Sequence, residues 1–150
     1  MSARLDPLAV AAAQAAERSW GIPASVTLAQ FGLESDWGKH MPPNSNNPFG
    51  IKALPGQPVS EALTREVVHG STVVVHAGFR KFNGLLEAFD AHARLLAEGK
   101  PYHFARQVLP DAEKFANALT GVYATDPQYG AKLINIMRAD DLAQYDRITA

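Results

Sequence analysis

Over most of the chain, apolar positions recur every three to four residues, the spacing of helices that each bury one face. Asp6 followed by Pro7 pairs an N-cap with a first-turn proline and predicts a helix through about Ser19, broken at Gly21. Pro23 opens a second helix in which Val26, Ala29 and Leu33 form the core-facing stripe, with Gly38 as its C-cap. Residues 39–63 lose this rhythm. They carry Pro42, Pro43, Pro48, Pro55 and Pro58 with Asn44, Asn46 and Asn47, and read as a long functional loop. From Thr64 to Phe82 β-branched residues concentrate around Gly70-Ser71, which predicts a β-hairpin turning there, with Glu66 opposite Val75. Helical spacing then returns. Leu85, Phe89, His92 or Ala93, and Leu96 make one face. Pro110 opens a helix with Phe115 and Leu119 inward, closed near Gly121. Asp126-Pro127 opens the last helix, with Tyr129, Leu133, Ile136 and Met137 on its stripe. No repeat or linker interrupts the pattern, so the expectation is a single domain over residues 1–150. Its class is α+β, mostly helical with one small hairpin.

Composition narrows the function classes. The 150 residues are 47% hydrophobic and 19% charged, the balance of a globular domain rather than a disordered chain. A formal net charge of -1 gives no general pull toward nucleic acid or an anionic membrane surface. With no cysteine, disulfides and thiolate chemistry are excluded. The five histidines form no H-E-x-x-H pair, so neither a metal nor a cofactor is expected, and ligation by His69, His76 or His92 is not favoured. No apolar run reaches membrane-span length, and the first thirty residues carry no secretory signal pattern.

The segment Leu33-Glu34-Ser35-Asp36-Trp37-Gly38 concentrates the candidate chemistry. Glu34 sits one step off the apolar stripe, and Gln30 lies four residues earlier on the same face. A carboxyl at the border of core and cleft, near Trp37 and with little water, has a raised pKa and can donate a proton to a glycosidic oxygen. On position alone, a glutamate near a helix end is more often a solvated surface group. The amide-rich run Asn44-Ser45-Asn46-Asn47-Pro48-Phe49-Gly50-Ile51 offers groups that can bond sugar hydroxyls and an aromatic ring, but equally reads as turn chemistry.

Five ordered elements carry a resemblance: Glu34-Ser35-Asp36-Trp37-Gly38, Asn46-Asn47-Pro48-Phe49-Gly50-Ile51-Lys52, Thr64-Arg65-Glu66, Phe79-Arg80-Lys81-Phe82, and Tyr123-Ala124-Thr125-Asp126-Pro127-Gln128-Tyr129. Together, over about residues 8–146, they resemble the bacterial glucosaminidases of glycoside hydrolase family 73, a family of autolysins, phage endolysins and flagellar muralytic domains. The resemblance implies a lysozyme-like fold with a small β-hairpin lobe beside a cleft. It implies cleavage of the β-1,4 bond that follows N-acetylglucosamine in peptidoglycan. It carries over Glu34 as general acid, Glu66 as second catalytic carboxylate and Tyr123 as a catalytic tyrosine, with Trp37, Asn46, Asn47 and Phe49 on substrate-binding positions. Gly130 departs from the family's usual alanine, and Val122 from its usual glycine.

The implied partner is a peptidoglycan glycan strand, met by a monomer that neither binds nucleic acid nor inserts into a membrane. The implied site of action is the cell wall, reached by holin, flagellar or other export, or from a virion. Two other readings stay open. A muramidase or lytic transglycosylase of the same fold would use one helix glutamate, and a wall-binding or virion structural module would use none. Retaining, inverting and substrate-assisted mechanisms are all compatible with the sequence.

Overall fold

The structure, a computed structural model, describes residues 5–147; the remaining ends of the expected 1–150 domain lie outside the described residues. Helix α1 (Pro7–Trp20) opens as its sequence dictates: the Asp6 carboxylate accepts from the Leu8 amide at 2.8 Å, and Gly21 closes the helix at φ +77°. Its inward face is Ala9, Ala12, Ala13 and Ala16, whose small side chains let neighbouring helices approach closely.

Helix α2 (Ala24–Ser35) is the centre of the molecule. The sequence predicts one buried stripe, but every residue from Ala24 to Gly32 is buried. The reason is that α1, α4 (Ala112–Ala118), α5 (Tyr129–Ala139) and the short helical turn Leu142–Tyr145 all pack against it. Pro23 supplies no side-chain cap. The exposed-donor problem of a buried helix start is solved from a distance instead. Glu17 accepts from the Ala24 amide at 3.0 Å, and Asp146 accepts from both the amide and hydroxyl of Ser25 at 2.7 and 2.6 Å. At the other end Asp36, not Gly38, is the C-cap. Asp36, Trp37 and Gly38 take φ of +49°, +61° and +87° in succession. Ser35 holds this reversal by donating to the Phe31 carbonyl and accepting from the Gly38 amide.

The hairpin is longer than predicted. Strand β1 (Val59–Val68) begins inside the expected loop, because Val59 and Ser60 already alternate outward and inward, and β2 (Ser71–Arg80) ends two residues before the expected limit. The turn falls at His69-Gly70, both at positive φ (+50° and +78°), as a tight two-residue reversal matched to strand twist requires. Glu66 therefore pairs with Val73 rather than Val75. A shift of two residues preserves which face each side chain takes. Ser60, Ala62, Thr64 and Glu66 remain on the inward face, while Val59, Leu63, Val67 and Val74 are exposed. Residues 51–53 run beside the base of β2, with Arg80 donating to the Ile51 carbonyl and Ala53 to that of Gly78.

Helix α3 (Leu85–Glu98) buries Phe89, both His92 and Ala93, and Leu96, and packs on α1. Helix α4 is opened by Asp111, whose carboxylate accepts from the Lys114 amide, rather than by Pro110. Helix α5 starts at Tyr129, two residues after Pro127, since Asp126 caps a preceding turn by accepting from the Gln128 amide. Gly130 has a reason: a Cβ there would sit 2.6 Å from Thr120 Oγ1 and 2.7 Å from Asn117 Cα, so α5 approaches α4 only without one. Among the described residues a single hydrophobic core runs from Leu5 to Leu142.

Gly32 offers a test of how closely the core is fitted. Alanine in a helix interior is ordinarily favoured over glycine by about 1 kcal/mol. Here the added methyl would lie 2.6–2.8 Å from the Trp37 ring, and such overpacking costs about 1–3 kcal/mol. Gly32→Ala is expected to lower unfolding free energy in denaturant titration. A stabilised variant would show that the indole yields freely.

Candidate active site

Glu34 lies in the last turn of α2, so the buried segment Ala24 to Gly32 fixes where its carboxyl emerges. Two hollows meet at it. One, of about 470 Å³, lies between the residues following α2 and the hairpin, and includes Asn47, Pro48 and Leu63. The other, of about 630 Å³, continues past Phe49, Lys52, Glu66, Tyr102 and Tyr123. Both are lined by Glu34, Gly50, Thr64 and Phe79, so they read as two halves of one open groove with Glu34 at the junction. A separate hollow of about 530 Å³ beside Glu17 and Asp146 lies by the opposite end of α2.

The Glu34 side chain is open to this groove, which corrects the expectation of a carboxyl with little water. Its polar environment is nonetheless partly protein. The Tyr129 hydroxyl donates to Glu34 Oε1 at 3.0 Å and itself accepts from Gln30 Nε2 at 3.0 Å. The nearby protein mass raises the carboxyl above its ordinary value, and the Tyr129 hydrogen bond opposes that rise. Tyr123 stacks on Tyr129, ring centres 5.7 Å apart and planes 17° from parallel. Burial first, then the neighbouring Glu34 charge, pushes both phenols upward, so they stay protonated donors.

The other expected site residues divide. Glu66 reaches the second hollow from the inward face of β1 and pairs with Lys52 Nζ at 2.7 Å. Phe49 lines the same hollow, although it is 5% exposed and packs mainly against Phe89 and His92. Asn47 borders the first hollow, but its amide is already used inside the loop. It donates to the Ile51 and Arg80 carbonyls and accepts from the Phe49 and Ile51 amides. Asn46 donates to the Phe82 carbonyl and lines neither hollow. Trp37 also lines neither; its ring covers Gly32 and meets Phe31 edge-on. Tyr129 was legible only as a core position, yet it is the residue that touches Glu34. The second tyrosine of Tyr123-Ala124-Thr125-Asp126-Pro127-Gln128-Tyr129 was the available signal.

No group of three or more histidines or carboxylates suited to a metal ion occurs among the described residues. No helix among them is long and apolar enough to cross a membrane.

Behind the groove floor, His92 is wholly buried, stacked on Phe49 at 4.0 Å, and neither ring nitrogen has a hydrogen-bond partner among the described residues.

Comparison with known proteins identifies the relatives of this chain. The family described as Glucosaminidase: Mannosyl-glycoprotein endo-beta-N-acetylglucosaminidase matches residues 10–142. Exo-glucosaminidase LytG of Bacillus subtilis (strain 168) is 35% identical over 131 residues, 83% of this chain and 46% of LytG. Peptidoglycan hydrolase FlgJ of Escherichia coli (strain K12) is 37% identical over 134 residues, 84% of this chain and 42% of FlgJ. This chain thus spans under half the length of those relatives. The crystal structure of the catalytic domain of the autolysin Auto from Listeria monocytogenes superposes with a TM-score of 0.80 at 28% identity, covering 91% of this chain and 82% of that one.

Burial lowers the His92 pKa from the ordinary 6.5 to about 3. Between those values the unfolded chain holds the extra proton, so the contribution is fully present above pH 6.5 and is lost as pH falls toward 3. His92→Phe is expected to flatten that part of the stability–pH curve, by on the order of 5 kcal/mol across the window. Parallel curves for the two proteins in denaturant titrations would refute a neutral buried imidazole.

Proposed function

This chain belongs to the glucosaminidase family, and from that premise we propose that it is a peptidoglycan hydrolase cutting the β-1,4 bond after N-acetylglucosamine, with Glu34 as general acid. The observation that carries the reading is the position of Glu34 where the two halves of the groove meet. A glycan strand lying along both halves would place one glycosidic oxygen over that carboxyl. Substrate would also displace water from the open groove, raising the carboxyl pKa further and favouring the protonated form that the leaving oxygen needs.

Cleavage also requires something to meet the cationic sugar or to activate water. Glu66 is the second carboxylate lining the groove, held on the inward face of β1 and tethered by Lys52. We assign it that part. Tyr123 lines the same hollow as Glu34 and stacks on Tyr129, and we assign it contact with the sugar at the cut. Leu54, exposed at the rim, offers apolar surface to a sugar face, while Phe49 and Phe79 form the largely buried wall behind it. The relevant partner is the glycan strand and the place of action the cell wall, with the protein acting as a monomer.

Glu34→Gln is expected to reduce clearing of purified walls by at least about a hundredfold, within the usual range of acid–base contributions, with the fold intact by circular dichroism. Glu66→Gln should cost at least about tenfold. Mass spectrometry of released fragments should find reducing-end N-acetylglucosamine; 1,6-anhydromuramic ends would transfer the chain to the transglycosylases. Since the acid must be protonated, activity should persist above the ordinary glutamate range and fall as pH rises through the raised Glu34 pKa. A pH–rate profile already declining below pH 4.5, the ordinary glutamate value, would contradict this assignment.

A further inference from the structure

We propose that Gln30 and Tyr129 act as a positioning pair that reserves Glu34 Oε2 for the transferable proton, an inference that rests on Glu34 being the acid. The geometry is directional. Gln30 Nε2 can only donate, and it occupies the acceptor side of the Tyr129 oxygen at 3.0 Å. The single hydroxyl hydrogen is thereby left for Glu34 Oε1, also 3.0 Å away. An oxygen that already accepts this bond is the poorer place for a carboxylic proton, so the proton resides on the other oxygen. Gln30 is wholly buried and Tyr129 is 3% exposed, so neither can exchange its partner for solvent easily.

The same bond acts during the reaction. The proton leaves Oε2 for the glycosidic oxygen, the sugar–oxygen bond breaks, and its electron pair stays with the departing oxygen. Tyr129 keeps its own proton throughout. As Glu34 becomes anionic, the Tyr129 bond becomes charge-assisted and strengthens, so it favours the transition state over the ground state. The ring stack of Tyr123 on Tyr129 holds the phenol in place from the groove side.

Other charges also bear on this carboxyl. Tyr102 and Tyr123 line the groove on the helical side, and Lys52, Arg65 and Glu66 on the hairpin side. Lys39 and His40 follow α2 in the first hollow. Substitution of Tyr129 or Gln30 leaves all of these in place, so changes against wild type isolate the pair.

The test is direct titration of Glu34 by NMR in protein carrying carboxyl-13C glutamate, with the resonance assigned by its loss in Glu34→Gln. Tyr129→Phe keeps the ring and removes the donor. Its Glu34 pKa should rise by half a unit or more, while the rate on soluble glycan oligomers falls roughly tenfold with KM within twofold. The alkaline limb of the rate profile should move up with it. Gln30→Met should shift the pKa the same way by less. In the Tyr129→Phe background it should add nothing, because it acts only through the hydroxyl. A mere packing defect would lower the rate without raising the limb. An unchanged Glu34 titration in Tyr129→Phe, or an independent effect of Gln30→Met in the double variant, would overturn the proposal. Failure of the underlying assignment looks different: Glu34→Gln would then clear walls normally, whatever the titration gives.

Discussion

Helix α2 is enclosed by protein from Ala24 through Gly32, and the rest of the molecule follows from that enclosure. A helix with no solvent face over that length cannot rotate or slide without breaking contacts on every side. Its first turn is tied to Glu17 and Asp146, groups from opposite ends of the chain. Its last turn is stopped by three successive left-handed residues. Between those anchors the position of Glu34 is determined before any substrate arrives. A loop could supply a carboxyl as easily, but not with this restraint.

Enclosure would be costly if polar groups inside it went unmatched, and the arrangement shows which are matched and which are not. Gln30 finds Tyr129 through its Nε2, though its Oε1 has no hydrogen-bond partner among the described residues, and Ser25 and Ser35 find partners close by. His92 does not, and stays neutral by virtue of its surroundings. The groove floor thus has two kinds of polar residue. One kind is directed toward the carboxyl, and the other is held in aromatic packing between Phe49 and Tyr123.

Much of this was legible in the sequence because local signals had local causes. Asp6-Pro7 fixed the start of α1, and the valine-rich stretch announced the hairpin. Where reading by pattern fell short, the missing information was tertiary. Helix α2 looks one-sided in sequence, since alanine, serine, threonine and glutamine do not advertise burial. The reversal at His69-Gly70 needs positive φ at a non-glycine residue, which is uncommon even though histidine tolerates it better than most, so Gly70-Ser71 looked the better turn. The resemblance drew attention to Trp37, Asn46 and Asn47 as groove residues. In the structure the indole covers Gly32 and the Asn46 amide ties the loop to Phe82, while Asn47 both borders the first hollow and spends its amide on organising the loop. Tyr129 was hidden for the converse reason: a buried aromatic on a helix stripe gives no hint that its hydroxyl faces a carboxylate across 95 positions of sequence.

The ribbon formed by β1 and β2 is secured at its base, where Phe79 and Ser60 are buried and residues 51–53 run alongside. Toward the tip its residues are largely exposed, and each strand leans chiefly on the other. Lifting that tip therefore disturbs almost none of the helical core, and such weakly coupled units open at little free-energy expense. A polymer woven into a mesh has few free ends to thread. Were the proposed substrate such a strand, a ribbon anchored at its base and released at the Lys52–Glu66 pair would let it enter in mid-length, laid in sideways.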